Sequence, residues 1–375
     1  MKRMINFGSI NDFRVLIEDI KHITQYVKQD DSDNPIYDET INLPKLSVVG
    51  SEKIHGTNGS VCYSNLDGFW TQSKDRIISL EDDNAECCKE NLKKKDSWIK
   101  IIKSLANEYD IDLNQNIITV FFEWAGGNIM GSKSALYKLD YKSMIFQYFM
   151  VTPTIQKLGK DNRETGTKWF QTCTNPGNSF DGNLNNIWVA DLEDNIFNVM
   201  NYDTYHIEID FNKPKESKLK LDNLVKKIEQ CSPIAKSMGQ ANNIGEGIVI
   251  QFKYNDKLYR AKFKGEKHAG KTRIPKILDP EALGKEKIVN QFVLKHGCTN
   301  IRLNQAYIMS MDILNGGKGD IRKTDVFMKW LVTDIIKEKS NVLKKLTLDK
   351  KDVTKKISQI GREWLINRLD EEAGL

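Results

Sequence analysis

Lys53 stands two residues ahead of a His-Gly pair, in the run Ser51-Glu52-Lys53-Ile54-His55-Gly56-Thr57-Asn58, at the end of an apolar, strand-like stretch from Leu46 to Gly50. A lysine amine is a nucleophile only when neutral, and burial or cationic neighbours depress its pKa enough to make it one. Gly56 lets the backbone come close to a bulky ligand, while Thr57 and Asn58 offer hydroxyl and amide groups for hydrogen bonds. Taken alone, a K-x-x-G match more often marks a surface lysine beside a turn.

Four further segments follow in order. Gln72-Ser-Lys74-Asp-Arg76-Ile-Ile78 lies at the edge of another strand-like run, and Val120-Phe-Phe-Glu123-Trp-Ala-Gly-Gly127 ends an apolar run on one acid before a glycine turn. Gly245-Glu246-Gly247-Ile-Val-Ile250 sets a second acid ahead of a buried-looking strand. Tyr259-Arg-Ala-Lys262-Phe-Lys264 alternates, so that both lysines project from one strand face. Together these segments supply a nucleophilic lysine, two carboxylates and several cations, the parts that bind a triphosphate and a metal. Each has an ordinary explanation by itself, as a solvated strand-end acid or an exposed polar edge. All five in this order by chance is much less expected.

The elements that must position these residues can be read from periodicity. Residues 1–44 hold a helix over Asp12 to His22 and a polar loop from Gln29 to Pro44 that leads into the next domain. Residues 45–274 alternate short β-rich runs with turn signals, with a lysine-rich helix near 85–106, irregular surface and short strands over 156–200, and an amphipathic helix over 214–238 (Leu219, Leu221, Leu224, Val225, Ile228). This is an α+β pattern around antiparallel sheets. From Pro275 the pattern turns helical: Phe327, Trp330, Leu331 and Ile335 share one face, and Ile357, Ile360, Trp364, Leu365 and Leu369 another. These aromatic stripes read as core rather than as base-stacking platforms. The expected domains are therefore 1–44, 45–274 and a small all-helical 275–375.

A chain of 375 residues holds one large domain and a smaller one, each with its own core. A net charge of +5, with pI near 8.6, is a mild basic excess suited to a polyanion. Lys257, Arg260, Lys262, Lys264, Lys267, Lys271, Arg273 and Lys276 crowd one stretch with Glu266 as the acid among them. That stretch contains the paired lysines, which favours a phosphate-facing surface running on past the site. The six cysteines form no C-x-x-C pair and lack a histidine at metal spacing, so structural zinc is not expected. Without a signal peptide or a bilayer-length apolar run, the chain reads as soluble and cytoplasmic, with reduced thiols and no membrane partner. Abundant Lys, Asn, Asp and Ile fit an AT-rich genome such as a phage's, which would place the protein in a host cytoplasm.

The five segments resemble those of the covalent nucleotidyltransferases, and within them the RNA ligase 2 family of phage and trypanosome RNA-editing ligases. That family's nucleotidyl motif reads much as Glu52-Lys-Ile-His-Gly-Thr-Asn58 stands here, whereas DNA ligases and capping enzymes usually carry an acid where this chain has His55. The resemblance covers roughly residues 45–270 and, more loosely, the helical tail. It implies an ATP-grasp-like nucleotidyltransferase domain of antiparallel sheets with helices, followed by a helical domain in place of an OB fold.

The resemblance also implies an ATP-dependent RNA ligase. Lys53 forms a lysyl-AMP, AMP passes to a 5′-phosphate, and a 3′-hydroxyl then seals the strand. Lys262 and Lys264 compensate phosphate charge, Glu246 binds Mg²⁺ or Mn²⁺ or a water, and Glu123 contacts the ribose. Glu52, Ile54, His55, Gly56 and Asn58 line the ATP site. Lys74, with Arg76 as competitor, touches phosphate or the nucleic-acid end, while Lys267 and Lys271 extend the nucleic-acid surface. An aromatic partner for adenine is expected in Phe146-Gln-Tyr-Phe149-Met150, with Phe149 as the stacker. Met150 stands where the family often has an acid. The expected partner is RNA, as a duplex nick or broken ends, acted on by a monomer. The alternatives are a ligase for DNA or hybrid ends and a non-catalytic nucleic-acid binder with the same fold.

Overall fold

Residues 2–8, 10–29, 35–156, 165–175, 186–240, 243–268 and 288–374 are described by the computed structural model of the protein. The chain divides into two units. One comprises Met1–Phe13, Pro44–Asp210 and Glu216–Gly270, the other Arg14–Leu43, Phe211–Lys215 and Lys271–Leu375. The N-terminal helix α1 (Phe13–Gln25) thus groups, from Arg14 on, with the C-terminal residues rather than with the segment it precedes. Part of the polar stretch after it is a strand: β1 (Tyr26–Gln29) pairs antiparallel with β2 (Pro35–Tyr37).

The first unit is built on two main sheets. Strands β3 (Lys45–Glu52), β4 (Thr57–Ser64), β5 (Gly68–Ser73), β6 (Ile77–Ile78) and β7 (Asn116–Ala125) come first in the chain. They are followed by β8 (Lys142–Ile145), β9 (Tyr148–Pro153), β10 (Lys168–Gln171), β11 (Cys173–Thr174), β12 (Ile187–Trp188), β13 (Ile196–Asn198), β14 (Thr204–Asp210), β15 (Gly247–Tyr254) and β16 (Lys257–Lys264). One sheet runs β10-β9-β7-β4-β5-β6 with β8 and β13 attached; a second runs β14-β3-β15-β16, and β11 pairs with β12. Among the described strands of this unit, every pair is antiparallel except β13 on β8, which is parallel.

Strand β7 is buried along nearly its whole length because both its faces are covered. Ile118, Val120, Phe122 and Trp124 face a core completed by Trp98, Ile102 and Leu105, while Ile117 and Phe121 face a smaller cluster with Ile5 and Trp70. The helix expected near 85–106 is two helices, α2 (Cys87–Lys93) and α3 (Lys95–Glu108), interrupted where Lys94 takes φ −95° and ψ 16°. The helix expected over 214–238 is likewise split. After α4 (Pro214–Gln230) the chain restarts as α5 (Pro233–Ser237), with Ser232 as N-cap and Pro233 in the first turn, where a missing N–H costs nothing. On α4, Leu221, Val225 and Ile228 are buried, whereas Leu219 is exposed.

Among the described residues of the second unit, the regular elements are helices apart from the paired strands β1 and β2. Helices α6 (Asn300–Met311), α7 (Thr324–Glu338), α8 (Ser340–Lys345) and α9 (Lys350–Ala373) enclose Phe327, Leu331, Ile335, Val353, Ile357, Leu365 and Leu369. Gly361 lets α9 press against α7, since a Cβ there would lie 2.7 Å from a methyl of Leu331. Trp364 stacks on Phe327 at 7° and 6.1 Å, so these aromatics serve the core. Among the described residues no helix is long and apolar enough to cross a membrane.

Candidate active site

Strand register brings the distant segments together. In the four-stranded sheet Ile248 lies opposite Glu52 on β3, and Gly247 opposite Lys264 on β16. Lys53, just past the end of β3, donates its backbone N–H to the Gly247 carbonyl at 2.8 Å. Glu246, one residue before β15, is thereby held between the side chains of Lys53 and Lys264. The β15–β16 turn that fixes this pairing, Asn255-Asp256, has positive φ at both residues, the two-residue geometry that suits hairpin twist. Gly247 itself is required: its φ is +149°, and a Cβ would meet the Phe263 carbonyl oxygen at 1.9 Å.

Glu246 is the hub of the site. Its carboxylate is 2.6 Å from Lys53 Nζ, 2.7 Å from Lys264 Nζ and 3.3 Å from His55 Nδ1, and its side chain is 1% exposed. Burial alone would raise its pKa. The hydrogen bond from His55, the charge of Lys53 and the hydrogen bonds from Lys264 and Lys53 outweigh that and hold it well below the usual carboxylate range. Lys262, on the same strand face as Lys264, has its pKa lowered by burial and then by the neighbouring charges of Lys264 and Lys53.

Glu123 enters from β7, where it lies opposite Asn58 of β4, and accepts a 2.9 Å hydrogen bond from the Gly56 N–H. Its pKa is raised by burial against the opposing charge of Lys53. Gly56 admits this approach because a Cβ would sit 2.3 Å from the Trp124 carbonyl oxygen. A narrow cleft beside Lys53 is lined by Phe7, Ile10, Glu123, Phe146, Val249 and Gln251, among others.

Several expected site residues lie elsewhere or are otherwise engaged. Phe149 is fully buried in the core with Trp98 and Trp124, and it packs on Tyr109 and Phe170. It does not line the cleft; Phe146 does. The reason is local: β9 begins at Tyr148, after Phe146, so the two rings are not on one strand face. Glu52, expected at ATP, is among the residues lining the cleft, but its carboxylate turns to α5, accepting from Ser232 Oγ at 2.5 Å and from the Ile234 N–H at 2.9 Å. Burial pushes its pKa up to about 7 against those two hydrogen bonds. Ile54 does line the cleft, with its side chain buried in a cluster with Met144, Val199 and Ile234. Lys74 and Arg76 are exposed between β5 and β6, and Arg76 is paired bidentately with Asp82 at 2.9 and 3.0 Å. The Lys267 N–H bonds Glu229 Oε1 at 2.7 Å, and Lys271 lies outside the described residues.

Sequence patterns gave no hint of Phe7, which reaches the cleft because the N-terminal segment is pinned across the sheet. The Ile5 N–H and C=O both bond the Gln72 side chain at 2.9 Å. His268 was also unforeseen: its ring lies 5.4 Å from that of His55, and its Nε2 is 2.9 Å from the Lys133 carbonyl oxygen.

A resident metal does not fit this arrangement. Among the described residues no three His, Cys, Asp or Glu side chains are gathered for one, and both Glu246 oxygens already face cations. A Mg²⁺ ion arriving on a triphosphate needs at most one or two protein carboxylates.

No family model matches the chain, and neither does any curated protein. Among solved structures it is similar to an RNA ligase of Naegleria gruberi determined with PPi, at 12% identity and a TM-score of 0.32, over 69% of this chain. It spans 56% of the length of that chain, a little over half. A likeness at this distance assigns neither activity nor substrate.

Proposed function

We propose that this protein is an ATP-dependent RNA ligase that works through a lysyl-AMP at Lys53 and an adenylylated 5′-phosphate end. The observation that carries the reading is the Lys53–Glu246–Lys264 cluster, in which a sequestered lysine amine shares one buried carboxylate with a second cation beside an apolar cleft. The ordered sequence motifs from Glu52 to Lys264 point the same way.

Held in the ion pair with Glu246, the Lys53 amine is not free to attack. A triphosphate entering as its Mg²⁺ complex presents anionic oxygens to Lys262 and Lys264. Once Lys264 turns to phosphate, its hold on Glu246 loosens and the carboxylate becomes a better proton acceptor. Glu246, 2.6 Å from Nζ, is positioned to take the proton. The nitrogen lone pair then attacks the α-phosphorus; the N–P bond forms as the bond to the bridging oxygen breaks, and pyrophosphate leaves. In the second step a 5′-phosphate oxygen attacks the same phosphorus and displaces the lysine. In the third a 3′-hydroxyl attacks the activated 5′-phosphate and AMP departs. Each step is an in-line transfer, so catalysis rests on positioning and charge compensation. Glu123, held by the Gly56 N–H, would orient the ribose.

The test is sealing of a 5′-phosphorylated nick in duplex RNA with ATP, beside the same nick in DNA. The account expects joined RNA and an adenylylated intermediate. Joining of DNA alone would move the assignment to the DNA branch, and binding without joining would favour a non-catalytic role.

A further inference from the structure

His268 ties the turn after β16 to the loop after β7. Its place is set by the backbone. The Gly265 N–H bonds the Glu246 carbonyl at 2.9 Å, and the His268 N–H bonds the Gly265 carbonyl at 2.9 Å. The imidazole Nε2 lies 2.9 Å from the Lys133 carbonyl oxygen. A carbonyl only accepts, so Nε2 carries the hydrogen and donates it. Nδ1 is buried and has no hydrogen-bond partner among the described residues. The bond to Lys133 is thus what fixes the ring. Lys133 closes a short 3₁₀ turn, Gly131–Lys133, in a loop that is itself tied down. The Gly127 and Asn128 N–H groups bond the Leu139 and Tyr137 carbonyls at 2.7 and 2.8 Å, and Asn243 gives Nδ2 to the Ala135 carbonyl at 2.6 Å.

Against this anchored ring lies His55, edge to face, with 5.4 Å between centroids and 76° between planes. Glu246 has its pKa held well below the usual carboxylate range and is ionised at neutral pH. An ionised carboxylate only accepts, so His55 turns the hydrogen on Nδ1 toward Glu246 Oε2, 3.3 Å away. A contact of that length is at the long end for an N–H···O bond and constrains the ring weakly. The packing of His268 supplies the missing constraint. The same Oε2 lies 2.6 Å from Lys53 Nζ, so a continuous series runs from the Lys133 carbonyl through His268, His55 and Glu246 to Lys53.

We propose that His268 is a positioning residue: anchored on the Lys133 carbonyl, it packs His55 onto Glu246 and so aims the carboxylate at the proton of Lys53. The inference rests on the nucleotidyl-transfer reading above. It gives a role to a side chain outside the ordered motifs, four residues past Lys264. Without the anchored ring His55 is free to swing away, and the Glu246 carboxylate turns between its two lysines. The chemical step slows, while nucleotide binding, which rests on other groups, does not weaken.

The experiment follows single-turnover transfer of label from ATP, carried at the α-phosphate, to the full-length protein over a range of ATP concentrations. Wild type is compared with His268→Ala, His268→Asn and His268→Gln. An Asn amide falls near the position of Nδ1 and a Gln amide near that of Nε2, so Gln alone restores the donor to Lys133. The limiting rate should fall about tenfold or more in the Ala and Asn variants, as happens when a group that orients a site residue is lost, and return to within about threefold of wild type with Gln. The ATP concentration giving half the limiting rate should move less than about twofold in all three. In a His55→Ala background, His268→Ala should cost less than about twofold further, because the two rings act through one contact. An unchanged limiting rate in His268→Ala, rescue by Asn rather than Gln, or an undiminished loss in the His55→Ala background would overturn the inference and leave the ligase reading intact. No label on wild type would overturn both.

Discussion

At the residue scale the site turns on how one carboxylate is shared. Glu246 is buried, yet its pKa is depressed because two lysines and a histidine face it. Glu246→Gln keeps the shape but removes the charge, leaving Lys53 and Lys264 facing each other without a counter-ion. Covalent loading of Lys53 should fall by at least about 100-fold, with the fold retained by circular dichroism. Glu52 shows the opposite electrostatics: its folded pKa of about 7 lies above the ordinary 4.5, so the folded state holds the proton more tightly than the unfolded one. Stability is therefore greatest below about pH 4.5 as far as this group is concerned, and it falls as pH rises from there to about 7. Glu52→Gln should flatten that slope, which melting temperatures of the two proteins from pH 5 to pH 8 would show. Equal slopes would contradict the assigned burial effect.

At the element scale the β15–β16 hairpin and its neighbour β3 do the positioning. Gly247→Ala places a Cβ against the Phe263 carbonyl and demands a φ that L residues avoid. It should cost roughly 2–4 kcal/mol and lower the melting temperature by several degrees. Much of this scale was legible. Alternation in Tyr259 to Lys264 revealed a strand with both lysines on one face, and the apolar run before Glu123 revealed β7. Phe149 and Phe146 were not separable, because both sit among apolar residues and only the start of β9 decides which ring faces the cleft. Gln251 was hidden inside a buried-looking strand. Gln72, in the same segment as Lys74 and Arg76, is buried and serves the N-terminal segment. Its long-range partner Ile5 leaves no local signature. The grouping of α1 with the C-terminal helices was equally invisible, since amphipathic periodicity says that a face is buried but not against what.

At the scale of the whole molecule, the helical unit has its own core, and among the described residues none of that core lines the cleft. Phe327→Ala removes a fully buried ring stacked on Trp364 and should cost about 3–5 kcal/mol within that unit. Below the resulting transition, covalent loading of Lys53 should stay within about twofold of wild type, because sites with no shared partners act independently. Calorimetry and loading rates measured on one preparation would check this. A loading rate that falls in step with the helical unit's stability would show that nucleotide transfer depends on it.

The most direct test of the central claim is transfer of label from ATP, carried at the α-phosphate, to the purified protein and to Lys53→Ala. The account predicts a stable, acid-labile adduct on wild type, released by pyrophosphate, and none on the variant. Label that persists in Lys53→Ala, or its absence from wild type with Mg²⁺ or Mn²⁺ supplied, would contradict it.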